Sequence, residues 1–234
     1  MHLLTRPSKS FLFDYLKNLL ANEKGDVGID AAAERIRNRH MFKTKSYYGI
    51  DQNKEALMRG LKSNPGDSVY AIEADMTNLE KIPEGSADVV LSSNTLYQIP
   101  VPLREKAVQE LCRITTPHGV CILEFTKDQD FPEMLSIVRA HFSDIKLVYF
   151  KNPVSRMYEK YAYSNPPHER KLFATLPLRC VAWLISRLEY LTKSKDILNT
   201  HVLVIARAKI GNSKKNTFTL APFRKLGERI YSAL

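Results

Sequence analysis

The chain has 234 residues, 44% of them hydrophobic, and a formal net charge of +10; that length suits one sizeable α/β core with or without an insertion. No stretch approaches the roughly 18 uncharged apolar residues of a membrane span, and the start, "MHLLTRPSKSFLFDYLKNLL", is too charged for a secretory signal. Three cysteines without a CxxC pair argue against a disulfide framework, and six scattered histidines without HxxxH or HExxH spacing argue against a metal site, so the expectation is a cytoplasmic protein with reduced thiols.

The elements follow in chain order. "SFLFDYLKNLLA" has apolar residues at helical spacing behind Ser10, a possible N-cap. A short strand is expected around Asp26–Ile29, then a helix over Ala31–Phe42, where "AAAERIRNRHMF" is rich in good helix formers. "SYYGID" is β-prone, "NKEALMRGLKS" helical, and "DSVYAIEAD" a strand ending at Asp75. "ADVVLSSN" is a buried parallel strand bounded by polar residues, "VPLREKAVQELCRIT" an amphipathic helix, and "TPHGVCILEF" a turn and another buried strand. "FPEMLSIVRAHF" and "DIKLVYF" repeat the helix–strand alternation. Such alternation predicts a doubly wound, Rossmann-like parallel sheet in a single domain over 1–210. Residues 151–200 interrupt it as a helical insertion before the last strand, "NTHVLVIARAKI", and 211–234 form a basic tail whose first stretch, "GNSKKNTFTLAPFRK", is expected to be loosely ordered.

Charge is uneven along the chain. Residues 46–149 carry 10 Lys and Arg against 15 acids, whereas residues 150–234 carry 16 against 5. The basic last third suits an anionic partner (a phosphorylated substrate, lipid headgroups or RNA) or is simply a solvated face.

Ligands of open parallel sheets sit outside the carboxyl ends of the strands. Asp26 and Gly28 are expected there after the first strand, Asp51 after the second, Asp75 and Met76 after the third, and Ser92, Ser93 and Asn94 after the fourth. Gly28 lets backbone approach a ligand closely. Asp51 can accept from two ribose hydroxyls or can N-cap the following helix. Asp75 can accept from an exocyclic amine, with Met76 as an apolar edge, or can serve as a turn residue.

"DVGID", "YYGID", "EAD", "ADVVLSSNTLYQI" and "RITTPHGVCILEF" together resemble the class I S-adenosylmethionine-dependent methyltransferases, type 11-like, over about residues 10–150 and the strand near 200–209. The resemblance implies a seven-stranded sheet with an antiparallel last strand and S-adenosylmethionine as cofactor. It implies that Asp26 and Gly28 hold the methionine end, Asp51 the ribose, and Asp75 with Met76 the adenine, with Ser93 nearby. One departure stands out. The family pattern is an acid followed by three glycines at alternate positions, and here only Gly28 remains, with Asp30 and Ala32 in place of the others. Asp30 could bind the methionine ammonium or repel its carboxylate.

The acceptor side is sparsely marked. Asn94 and Tyr97 are expected to line the substrate pocket, and His168 in "NPPHER" is the one candidate base. In the insertion, Val181, Leu184, Leu188 and Leu191 form an apolar stripe, widened by Trp183, Ile185 and Tyr190 and flanked by Arg179, Arg187 and Lys193. It reads as a packed helix, a lid, or a peripheral membrane contact through 178–191. The expected function is methyl transfer to a small or lipid-linked acceptor, a sugar or natural-product hydroxyl. The alternatives are an RNA methyltransferase and a catalytically inactive subunit of the same fold.

Overall fold

The computed structural model describes residues 5–164, 175–211 and 214–233. The elements are α1 (Pro7–Leu20), β1 (Lys24–Ala31), β2 (Lys43–Asp51), α2 (Lys54–Ser63), β3 (Val69–Glu73), β4 (Ala87–Ser92), α3 (Val101–Ile114), β5 (Thr115–Thr126), α4 (Phe131–His141), β6 (Phe142–Phe150), α5 (Pro153–Ser164), α6 (Leu176–Thr192), β7 (His201–Lys209), β8 (Arg224–Lys225) and β9 (Ile230–Ser232). The sheet has nine strands rather than the expected seven, in the order β6-β7-β5-β4-β1-β2-β3-β9-β8. The fold class is the expected Rossmann-like α/β, and β1 through β5 pair in parallel.

The chain divides into two compact units. One comprises Leu20–Phe125, Gln129–Lys146 and Val204–Leu234. Its central strands are apolar because both faces are covered, and Ile29, Ile50, Ile72, Val90, Leu91 and Ile122 are all buried. Helix α2 starts where Asn53 Oδ1 accepts the Ala56 N–H at 3.0 Å. Helix α3 buries Ala107, Val108, Leu111 and Ile114.

The two extra strands come from the basic tail. β9 pairs in parallel with β3, with Ala71 opposite Ile230 and Glu73 opposite Ser232, and β8 folds back antiparallel on β9. The expectation of a loose tail fails because its polar groups find fixed partners. The Arg229 guanidinium donates to the carbonyls of Leu61, Asn64 and Gly66, and Phe218 packs on Tyr48 with ring centroids 4.3 Å apart.

The other unit comprises Met1–Leu19, Thr126–Asp128 and Leu147–Leu203. Phe11 of α1 meets Tyr190 of α6 edge-on at 4.8 Å. Glu159 of α5 accepts from the Ser8 N–H and hydroxyl, and Arg187 pairs with Asp14. Tyr158 donates to the Leu178 carbonyl, joining α5 to α6. Among the described residues, no helix is long and apolar enough to cross a membrane.

Arg229→Ala should therefore lower the stability of the first unit by about 2 kcal/mol, the scale of a charged donor's hydrogen bonds. Urea unfolding would measure it, and an unchanged midpoint would mean that the tail is not coupled to the sheet.

Candidate functional site

The site is built at the carboxyl ends of β1 to β4. The decisive local feature is the segment after β1. A helix was expected over 31–42, but the chain instead makes a series of turns and a short 3-10 turn at Arg39–Met41. Ala32, Glu34 and Ile36 take left-handed backbone conformations, with φ of 60°, 49° and 56°. Helix propensity is overridden by tertiary hydrogen bonds: Ala33 N–H donates to the Ile50 carbonyl at 2.9 Å, and Glu34 N–H to Asp51 Oδ2 at 2.9 Å. Left-handed backbone is costly for a side chain and most of all for a β-branched one such as Ile36. Strain of this kind, about 1–3 kcal/mol per residue, collects at functional sites.

The alternation explains the missing glycines. The left-handed positions recur at every second residue, which is the spacing of the glycines in the family pattern, and are filled here by Ala, Glu and Ile. Room for Ile36 comes from the neighbouring elements. A Cβ on Gly49 of β2 would lie 3.2 Å from the Ile36 Cγ1, and one on Gly60 of α2 would lie 2.8 Å from it.

This places the strand-end acid differently from the sequence expectation. β1 runs to Ala31, so Asp26 and Gly28 lie within the strand and not in the loop after it. Asp26 is four residues, about 13 Å of strand, before Asp30. It pairs with Lys45 at 2.8 Å and Lys215 at 3.0 Å, and the hydrogen bonds from these two ammonium groups lower its pKa to about 2. Gly28 makes room for protein: a Cβ there would lie 2.5 Å from Thr44 Oγ1 and 2.6 Å from the Phe42 ring. The acid at the carboxyl end of β1 is Asp30. Its carboxylate is buried, accepting from the Tyr47 hydroxyl at 2.7 Å and from Asn38 Nδ2 at 3.3 Å. It is turned into the protein and occupied, so neither of the two ligand contacts considered for it is made by an exposed carboxylate. Burial raises its pKa to about 7.

Asp51 sits where expected and is not the cap of α2, because Asn53 fills that role. Asp51 Oδ1 accepts from Asn53 N–H at 2.8 Å while Oδ2 holds Glu34. A carboxylate oxygen has two lone pairs, so each retains capacity for a further donor. Asp75 takes the turn role through Oδ1, which accepts the Thr77 N–H at 2.8 Å, and the adjacent Met76 is buried. After β4, Ser93 and Asn94 are half-buried and Tyr97 is exposed. Asn94 is also left-handed, at φ 63°, with its N–H donated to the buried Glu124 Oε2 at 2.6 Å. Tyr97 reaches Asn94 Oδ1 at 3.4 Å, and Gln98 donates to the Asn94 carbonyl at 3.0 Å. Ser92 Oγ, at the end of β4 opposite Ala31, is buried without a hydrogen-bond partner. His168 lies outside the described residues. Among the described residues, no group of three or more His, Cys, Asp or Glu is placed to hold a metal.

Glu124 and the position of Asp30 at the end of β1 escaped the sequence reading. The signal available for Asp30 was its spacing: it precedes Asp51 by 21 residues, against 25 for Asp26.

Residues 26–123 match the family model described as a methyltransferase domain, type 11. This segment is similar to the type 11 methyltransferase domain family. No curated protein matches the sequence. Solved structures share this fold at low identity. The N-methyltransferase NodS from Bradyrhizobium japonicum WM9, in complex with S-adenosyl-L-homocysteine, aligns with a TM-score of 0.58 at 10% identity over 87% of this chain and 88% of its own. The [4+2]-cyclase SpnF gives 0.58 at 12%, over 86% and 82%. A chain of the complex containing the Haloferax volcanii Trm112 methyltransferase activator gives 0.55 at 13%, over 88% and 92%.

The sign of one pH effect follows from Asp30. Its folded pKa lies above the ordinary 3.8, so the folded chain binds this proton more tightly than the unfolded chain. The stability this carboxyl supports is full below about pH 4 and is lost as pH rises towards 7, by roughly 4 kcal/mol at most. Asp30→Asn should flatten that part of the unfolding profile. Tyr47→Phe, which removes a donor to the ionised form, should move the fall to higher pH. A wild-type profile unchanged by either substitution would remove Asp30 as the titrating group.

Proposed function

We propose that this chain transfers a methyl group from S-adenosylmethionine to a hydroxyl of a small or lipid-linked acceptor, a sugar or natural product. The observation that carries the reading is Asp51: a strand-end carboxylate that does not cap its helix, ties down the preceding loop, and keeps acceptor capacity facing the carboxyl ends of the strands. The residues present fit the cofactor. Asp51 would take the ribose hydroxyls. Asp75, with one oxygen committed to its turn, and Met76 would take the adenine. The loop 32–38 and the orphaned Ser92 hydroxyl would face the methionine end, with Ser93 beside it. When bound, the cofactor supplies a methyl group activated on a sulfonium.

The protein's part in such a displacement is mainly to align two reactants and exclude water. Glu124 would fix the turn after β4 through Asn94 N–H. Asn94 and Tyr97 would then stand where an acceptor hydroxyl is oriented. A base is needed only for an acceptor protonated at working pH, and His168 remains the proposed candidate for it.

The RNA alternative is weakened by how the basic last third is used. Arg229 is spent on carbonyls, Lys215 on Asp26 and Asp88, Lys209 on Glu84 and two carbonyls, and Arg207 on Glu23. These four cations are committed to partners within the fold. A binding subunit without catalysis is the second reading, favoured by the side chains that replace glycine at Ala32, Glu34 and Ile36.

Calorimetric titration with S-adenosylhomocysteine tests the site. Micromolar binding is expected for the wild type, a loss of about tenfold or more (~1.4 kcal/mol) for Asp51→Ala, and no change for Asp26→Asn. Binding abolished by the Asp26 substitution but kept by the Asp51 one would overturn the assignment. Binding without turnover on any hydroxyl acceptor would favour the second reading.

A further inference from the structure

We propose that α5 and α6 present a surface that docks on an anionic lipid bilayer. Helix α6 is amphipathic in the reverse of the usual sense. The face it buries carries Ala182, Ser186 and Glu189, two small residues and an acid. The face it exposes carries Val181, Leu184, Leu188 and Leu191, at 40, 59, 40 and 71% exposure, with Leu176 at 65%. These positions recur at intervals of three and four, so they form one stripe along about three turns. An exposed apolar stripe of this length on a helix marks an interaction surface.

Charge selects the occupant. The only acids within α5 and α6 are Glu159 and Glu189, and both are buried. Glu159 accepts from Ser8 and pairs with Arg6 and Lys151, and Glu189 accepts the Asn152 N–H. The fully exposed charges of the two helices, Arg156 and Lys160, are basic, and exposed Lys193 and Lys195 follow α6 directly. Asp196, the next acid, is paired with Lys127. Asp14 of α1 is paired with Arg187. Acids turned inward, bases turned outward and an exposed apolar stripe match the chemistry of an interfacial helix on anionic headgroups. A water-soluble acidic partner would need the bases but not the stripe, and a second copy of this chain would bring like charges together.

The surface also carries a reporter. Cys180 is exposed while Cys112 and Cys121 are buried, and Cys180 is one residue from the start of the stripe. A fluorophore on Cys180 should brighten when the intact protein, without cofactor, meets phosphatidylcholine vesicles containing phosphatidylglycerol. It should respond weakly to phosphatidylcholine alone, and the response should fall with salt. In flotation of unlabelled protein, the combined substitution Leu184→Ser, Leu188→Ser and Leu191→Ser should weaken binding by about tenfold or more. Its unfolding temperature should stay unchanged, because these side chains are exposed. Arg156→Gln with Lys160→Gln should weaken binding and reduce its salt dependence, an independent test should the first variant not fold. Folded wild type that ignores anionic vesicles overturns the proposal, as does vesicle binding unaffected by both variants. A dimer seen by light scattering and dissolved by the triple substitution, with no vesicle binding, would assign the stripe to a second copy instead. None of these outcomes depends on the homocysteine titration.

Discussion

The hydrogen bond from the Glu34 amide to Asp51 fixes where the chain can go after β1. A buried parallel strand must hand its chain to a loop that crosses the sheet end before it can turn back. Here the loop is held against β2 at two successive amides, Ala33 to the Ile50 carbonyl and Glu34 to the Asp51 carboxylate. Around those two points the backbone is left-handed at Ala32, Glu34 and Ile36, and Gly49 of β2 and Gly60 of α2 leave space beside Ile36. Asp51 is thus both a ligand candidate and the post to which the neighbouring loop is tied, so the loop and the acid hold each other in place.

Much of this architecture was legible. The alternation of apolar strands and amphipathic helices is a strong periodic signal, and nearly every element outside 31–42 appears close to its expected place. Asp51 and Asp75 were legible because each ends a β-prone run and precedes polar residues. The segment 31–42 was not. Its alanines, arginines and glutamate favour a helix one residue at a time, and nothing local announces that amides 33 and 34 are claimed by β2. The acid of β1 was misplaced for a related reason. The first half of β1, Lys24 to Val27, is too polar to look like a strand, and it is one because Lys24 and Gly25 pair with Lys43 and Thr44. β1 also runs on to Ala31, so Asp26 lies within the strand and Asp30 near its carboxyl end.

The tail shows the same limit in its charges. A run of lysines and arginines after 200 looks like a solvated arm when read residue by residue. In the fold four of them, Arg207, Lys209, Lys215 and Arg229, satisfy backbone carbonyls and carboxylates. The net charge of the last third therefore overstates how much positive potential it offers to a partner. Positive charge stays outward at Lys214, Arg224 and Lys225 of the tail and at Arg156 and Lys160 of α5, with Lys193 and Lys195 just beyond α6. Charge counted along the chain and charge displayed at the surface are different quantities here, separated by which side chains the packing consumes.

The pairing of β9 with β3 has a consequence for how the molecule is made. Residues 230–232 close an edge laid down by residues 69–73, so about two-thirds of the chain is synthesised between the two strands. During that interval β3 is an open edge with unpaired amides and carbonyls, a template for pairing with any other extended chain. Contacts of such sequence separation form late. The nascent protein therefore passes through a stage in which its central strands can be assembled while one border stays adhesive, and during that stage its survival depends on chaperones and on low local concentration more than on the stability of the finished fold.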